Sequence, residues 1–198
     1  MKRIAIFGGA FSPPHVGHAS VAEAVARLFP CDEVWLMPSA DRHDKKMAVA
    51  AEHRVRMLEL LAEEMFEGLP TPVIVSRLEI DRPVHTITYD TMKDMEARWP
   101  HHEFNFVVSS ELLPAMTTTW EKGKELWREG RFVVVERTGT KLDPALLPPT
   151  SAVIDRSFAW IDVSSTFIRD LLRKGLPGTP YLTPAVSRYV KEHRLYRE

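Results

Sequence analysis

Short runs rich in Val, Ile and Phe recur along the chain, alternating with longer stretches in which apolar residues return every three or four positions. Repeated strand and amphipathic-helix signals of this kind bury their apolar surface as a parallel sheet covered by crossover helices. The spacing predicts strands over Arg3–Phe7, Glu33–Met37, Val73–Ser76, Phe104–Val108 and Phe132–Glu136. Helices are predicted from about Gly17 to Phe29, Glu52 to Phe66, Thr88 to Trp99 and Trp120 to Glu129, with Leu58, Leu61 and Met65 showing the helical spacing. A Pro-rich stretch from Lys141 to Pro149 reads as a surface connection. After it, Trp160–Val163 leads into a helix from Ser164 to about Lys174, and a last helix begins near Pro184. The expected fold is α/β: a doubly wound, mostly parallel sheet of five or six strands with helices on both faces. No repeat or long linker divides the chain, so one domain is expected, with a small helical part from about residue 164.

Composition narrows the function classes. Of 198 residues, 44% are apolar and 27% charged, the balance of a folded globule. At this size folding removes roughly 70% of the unfolded surface from water, so neither disulfides nor a structural metal is needed. Lys and Arg number 26 against 27 Asp and Glu, which argues against a generally basic nucleic-acid binder and makes any phosphate affinity local. Cys31 is the only cysteine, excluding an internal disulfide or a paired-thiolate zinc site and suiting a reducing, cytoplasmic setting. The apolar start is broken at Gly8-Gly9 and Pro13-Pro14, too soon for a signal peptide, and no run approaches the length of a membrane span.

In a doubly wound sheet, ligands sit outside the carboxyl ends of the strands, so the loops there carry the interest. The first predicted strand ends in Gly8-Gly9-Ala10-Phe11-Ser12-Pro13-Pro14-His15-Val16-Gly17-His18. The glycines let backbone amides approach an anion, and the helix that opens next offers unpaired donors and a positive dipole end. If that helix begins between His15 and His18, both imidazoles face one pocket and can grip one polyphosphate. A metal reading of the pair is weaker, because no carboxylate or third histidine lies at ligand spacing nearby. A hydride-transfer fingerprint would need a third glycine where Pro13-Pro14 stands.

A second constellation is Val163-Ser164-Ser165-Thr166-Phe167-Ile168-Arg169. Ser164 is a natural N-cap, and no Glu or Gln follows three places on to close a capping box, which leaves first-turn donors available to a ligand. Arg169 lies one turn inside, and helical side chains lean toward the N-terminus, so its guanidinium can return to the same anion. Capping alone is the plainer reading of this segment. Between Ser39 and Val49, a polar loop holding Asp41, Arg42, His43, Asp44, Lys45 and Lys46 reads as solvated surface, or as a mobile cation able to close over a triphosphate.

The histidine pair on the first turn, together with Ser-Ser-Thr-x-Ile-Arg late in the chain, resembles the nucleotidylyltransferase superfamily, and within it the bacterial nicotinate-nucleotide adenylyltransferases. The landmarks between agree in order: Glu52-His53-Arg54-Val55-Arg56-Met57-Leu58, Thr88-Tyr89-Asp90-Thr91-Met92, Trp120, Phe132-Val133-Val134-Val135-Glu136-Arg137, and Tyr189 to Tyr196. The resemblance implies a Rossmann-like fold and adenylyl transfer from ATP to nicotinate mononucleotide, with pyrophosphate as product and Mg2+ carried on the phosphates rather than by protein ligands. It implies that His15, His18, Lys45 and Arg169 serve the triphosphate. Gly8, Gly9, Phe11, Ser164, Ser165 and Thr166 would line the ATP site, and Thr88 and Trp120 would hold the pyridine mononucleotide. Trp120 has a plain alternative, since Trp127 lies seven residues on and both could bury one side of a helix. The chain departs from the family pattern at Ser12, at Ile87, in Arg42-His43-Asp44-Lys45 and in Ser109-Ser110-Glu111.

Other readings stay open: nicotinamide mononucleotide, phosphopantetheine or a flavin nucleotide as acceptor, or an ATP-binding protein without catalysis. A fragment of an aminoacyl-tRNA synthetase fits poorly with the neutral charge and short chain. The expected partners are ATP and a pyridine mononucleotide, with a second copy of the chain as a further candidate, and neither nucleic acid nor membrane.

Overall fold

The computed structural model describes residues 1–40, 47–82, 87–136, 142–155, 158 and 160–197. Six strands lie in one sheet: β1 (Arg3–Gly9), β2 (Glu33–Pro38), β3 (Val73–Val75), β4 (Glu103–Ser109), β5 (Phe132–Val135) and β6 (Ser151–Ile154). Their order is β3-β2-β1-β4-β5-β6, and every pairing is parallel. The connecting helices are α1 (Val16–Leu28), α2 (Ala51–Met65), α3 (Thr88–Arg98), α4 (Leu113–Thr118), α5 (Gly123–Glu129), α6 (Ser165–Arg173) and α7 (Pro184–Glu192). This is the expected doubly wound sheet with helices on both faces.

Alternation along the strands assigns the two faces. Ile4, Ile6, Phe104, Phe106, Phe132 and Val134 pack with Met92 and Met95 of α3, Met116 of α4 and Leu126 of α5. On the other face, Ala5, Val34, Val107 and Val133 meet Ala24 and Val25 of α1, and a neighbouring cluster joins α2 to Ile168 of α6 and Val186 of α7. Strands buried on both sides read as continuous apolar runs, which is why the central ones were legible.

Two elements were not. β6 is a four-residue edge strand with Val153 well exposed, so neither length nor alternation marks it. α4 spans six residues with Pro114 in its first turn and two threonines at its end, all weak helix signals. The helix expected from Trp120 instead starts at Gly123, and Trp120 sits in the bend before it. A Cβ at position 123 would lie 1.7 Å from the Met116 carbonyl, so only glycine lets α5 start against α4. Trp120 and Trp127 therefore do not share a helix face, and the Trp127 indole donates to the Leu146 carbonyl instead (3.2 Å).

Candidate active site

β1 and β4 are neighbours whose following loops leave the sheet in different directions, the point at which doubly wound sheets open a crevice. A cavity of about 490 Å³ occupies that crevice, walled by Gly8 and Gly9 of β1, His15 and His18 of α1, Val107–Ser109 of β4, and Ser164 and Ser165 at the head of α6. Thr88 and Trp120 line it as well.

α1 begins at Val16, with His15 as its N-cap. The two histidines cap each other: the His18 amide donates to His15 Nδ1 (3.3 Å) and the His15 amide to His18 Nδ1 (3.2 Å). With both Nδ1 atoms accepting, each neutral ring carries its proton on Nε2, so both present N–H donors. The rings stack 3.7 Å apart, and the Phe11 ring lies edge-on to His18 at 4.9 Å. Phe11 is buried behind His18 and does not reach the cavity wall, although the resemblance implied that it would. Burial, and secondly His15, holds the His18 pKa well below the ordinary histidine value. The free protein therefore keeps His18 neutral at pH 7, as an uncharged donor at the cavity.

The same depression sets a pH dependence of stability. The unfolded chain binds a proton at this histidine near pH 6.5 and the folded chain does not, so stability falls as the pH drops below about 6.5. Chemical denaturation at pH 7.5 and 5.5 is expected to show that loss, and His18→Asn, which keeps an acceptor near the Nδ1 position, to lose part of it. An identical pH dependence in the variant would contradict the assignment.

The head of α6 is stitched to the turn after β1 across more than 150 residues of sequence. Ser165 Oγ donates to the Pro13 carbonyl (2.9 Å), and the Arg169 guanidinium donates to the Ser12 carbonyl (2.7 Å) and Thr166 Oγ1 (2.9 Å). Ser164 caps α6 by accepting from the Phe167 amide (3.2 Å). Its hydroxyl thus does the plain capping job while its residue lines the cavity. Neither Thr166 nor Arg169 lines the cavity: Arg169 braces the turn through Ser12, and the exposed Thr166 holds the guanidinium. The segment leading into α6 passes over the first turn of α1 so closely that a Cβ at Gly17 would lie 2.8 Å from the Ile161 carbonyl. Lys45 lies outside the described residues.

On the β4 side, the Trp120 ring meets Phe106 edge-on at 6.3 Å, and Thr88 opens α3. Behind them Thr91 donates to Glu79 (2.9 Å) and accepts from Arg82 (3.2 Å), which also pairs with Asp94. Glu79 and Asp162 line the cavity and were not singled out from sequence, because isolated acidic residues carry no periodic signal; Thr91 and Glu111 line it too, and in the sequence they stand only within a landmark and a departure from the family pattern. Arg54 was also missed. It is fully buried, donating to the carbonyls of Ala10 (3.0 Å) and Ser39 (2.8 Å), and so clamps the carboxyl ends of β1 and β2 together. Among the described residues no three His, Cys, Asp or Glu side chains gather closely enough to hold a metal ion. No described helix is long and apolar enough to cross a membrane.

The cytidylyltransferase-like family model matches residues 6–171, from inside β1 to inside α6, and so takes in both halves of this site. The chain belongs to the cytidylyltransferase-like family. Within that family it is 34% identical, over 98% of its length and 94% of the relative's, to a protein of Leifsonia xyli named probable nicotinate-nucleotide adenylyltransferase. A relative of the same name in Frankia casuarinae is 38% identical over 96% of this chain and 98% of its own. Among solved structures, the Plasmodium falciparum nicotinic acid mononucleotide adenylyltransferase complexed with NaAD superposes with a TM-score of 0.88 at 25% identity, covering 99% of this chain and 98% of that one. The same Plasmodium enzyme complexed with APC gives a TM-score of 0.86. As a cytidylyltransferase-like protein with these full-length relatives, the chain is a nucleotidyltransferase of the adenylyltransferase kind.

Proposed function

We propose that the chain transfers the adenylyl group of ATP to nicotinate mononucleotide, giving nicotinate adenine dinucleotide and pyrophosphate. The observation that carries this reading is the meeting of His15 and His18 with the head of α6 at one cavity that Trp120 and Thr88 also line. A phosphate oxygen of the mononucleotide attacks the α-phosphorus of ATP in line, the bond from that phosphorus to the bridging oxygen breaks, and the electron pair leaves with pyrophosphate. No covalent enzyme intermediate is needed. The protein positions the two nucleotides and stabilises the charge that grows on the phosphates.

His18 and His15 donate through Nε2 to the phosphate oxygens, His18 beside the α-phosphate. The first-turn amides of α6, which have no partner within their own helix, and the positive end of its dipole receive the rest of the triphosphate. Arg169 adds positive charge behind Ser12 and Thr166, and Lys45 supplies a further cation. Gly8 and Gly9 let the nucleotide lie against the β1 backbone. The donors at this end are imidazoles, hydroxyls, amides and a guanidinium, which suit phosphate oxygens, and the nearby Asp162 has no cluster of further carboxylates or imidazoles gathered with it to hold a cation among the described residues, so Mg2+ is held through the triphosphate. When bound there it neutralises phosphate charge.

At the acceptor end the flat, electron-poor pyridine ring stacks on Trp120. Trp120→Ala is expected to raise KM for the mononucleotide about tenfold or more, the worth of one stacking contact with its buried area, while leaving KM for ATP unchanged. Steady-state kinetics with each substrate varied in turn checks this, and an unchanged KM for the mononucleotide would assign Trp120 to packing. The reading as a whole is tested by pyrophosphate release from ATP and Mg2+ against a panel of nicotinate, nicotinamide and flavin mononucleotides and phosphopantetheine. Release is expected with nicotinate mononucleotide far above the others. ATP binding without release in any mixture would overturn it.

A further inference from the structure

We infer that Tyr196 is a positioning residue for the phosphate-binding turn: its phenol, delivered by the chain behind α7, fixes Ser12 and through it the two histidines that follow. Tyr196 and Ser12 share a hydrogen bond of 3.1 Å between their hydroxyls, 184 residues apart in sequence and both buried. Ser12 is held at two other points, since its own carbonyl accepts from Arg169 and the next carbonyl, of Pro13, accepts from Ser165. The tyrosine supplies the third hold, and the only one of these three on the Ser12 side chain.

The backbone on both sides of this contact is strained. Phe11 (φ 47°), Arg194 (φ 52°) and Tyr196 (φ 61°) are all left-handed residues other than glycine, a conformation that persists only where the surroundings over-determine it. At Phe11 it turns the ring against His18. At Arg194 and Tyr196 it turns the tail back so that the phenol enters the core beside Ile168, Leu182 and Leu195. The tail starts from a fixed point, because the Glu64 carboxylate of α2 accepts from the Ala185 amide at the head of α7 (3.0 and 3.1 Å) and His53 Nδ1 bonds the Tyr189 hydroxyl (2.9 Å). Burial pushes the phenol up to about 12, so it stays neutral wherever the protein is folded and assayed. A link thus runs from α2 through α7 and Tyr196 to Ser12, neutral in its last step, next to the Phe11 ring that packs on His18.

The kinetic arm of the test rests on the adenylyl-transfer reading, whereas its spectroscopic arm does not. Tyr196→Phe keeps the buried ring, and Ser12→Ala removes the same hydrogen bond from the other side should the first variant fold poorly. Each single variant is expected to lower kcat roughly two- to tenfold, the scale of one neutral hydrogen bond, with KM for the mononucleotide unchanged. The double variant is expected to be no worse than the poorer single. In the free protein, the His18 ring resonances are expected to move in both variants. Unchanged kcat together with unchanged His18 resonances would overturn the inference, as would losses that simply add in the double variant, since the two hydroxyls would then act separately. If the unmodified protein releases no pyrophosphate, the functional reading fails and the His18 resonances alone decide: movement supports the link, and none overturns it.

Discussion

Replacing His18 with alanine is expected to lower kcat by about 10²- to 10³-fold, the usual cost of one preorganised donor to developing charge, while KM for ATP changes only a few-fold. The asymmetry follows from where the ring stands. His18 is locked by the exchange of hydrogen bonds with His15 and by the Phe11 ring, so its Nε2–H costs nothing to aim when charge builds on the α-phosphate. On the proposed reading, ground-state ATP has other holds, in the α6 head and the β1 glycines, and loses little when one donor goes. Burial lowers the His18 pKa in the free protein, and a bound polyphosphate opposes that shift by favouring the charged ring. The residue is therefore poised to answer anionic charge. Steady-state kinetics decide the matter: equal losses in kcat and in ATP affinity would mean that His18 binds rather than catalyses.

Arg54→Ala is expected to lower unfolding stability by about 3–5 kcal/mol, which for a chain of this length displaces Tm by roughly 10 °C. Arg54 is fully buried, and its guanidinium donates to the carbonyls of Ala10 and Ser39. Truncation leaves both acceptors short of a donor and opens a void between α2 and the sheet. Because those carbonyls end the two strands that frame the phosphate turn, activity measured well below Tm is expected to fall as well. Thermal denaturation checks the first effect, and a loss below about 1 kcal/mol would show that water or a neighbour replaces the guanidinium at little cost.

The fold was legible wherever burial imposed a period. β1, β2, β4 and β5 are interior strands with apolar residues on both faces, and the predicted α1, α2 and α3 are right to within one residue at each end. Legibility failed where tertiary contact overrides local signal: β6 is a strand only because β5 offers it an edge, and α5 starts at Gly123 because the Met116 carbonyl leaves room for nothing larger. In the site, the histidine pair and the α6 head were readable as helix starts, and the structure brings both to one cavity. Even there the local grammar differed, since His15 and His18 form a reciprocal cap built from two imidazoles, in place of the usual serine and glutamate. Arg54 and Tyr196 were visible only as landmarks in order. Their partners lie 15 to 184 residues away, and no local pattern announces a contact of that kind.

The central claim is that the turn after β1 and the head of α6 receive one and the same triphosphate. Its most direct measurement is an NMR titration of the protein with ATP and Mg2+ in the absence of acceptor, following the ring signals of His15 and His18 and the amides of Ser165 and Thr166. The account predicts that all four respond together and fit a single dissociation constant. Movement of the histidines with the α6 amides unmoved, or two unrelated constants, would contradict it.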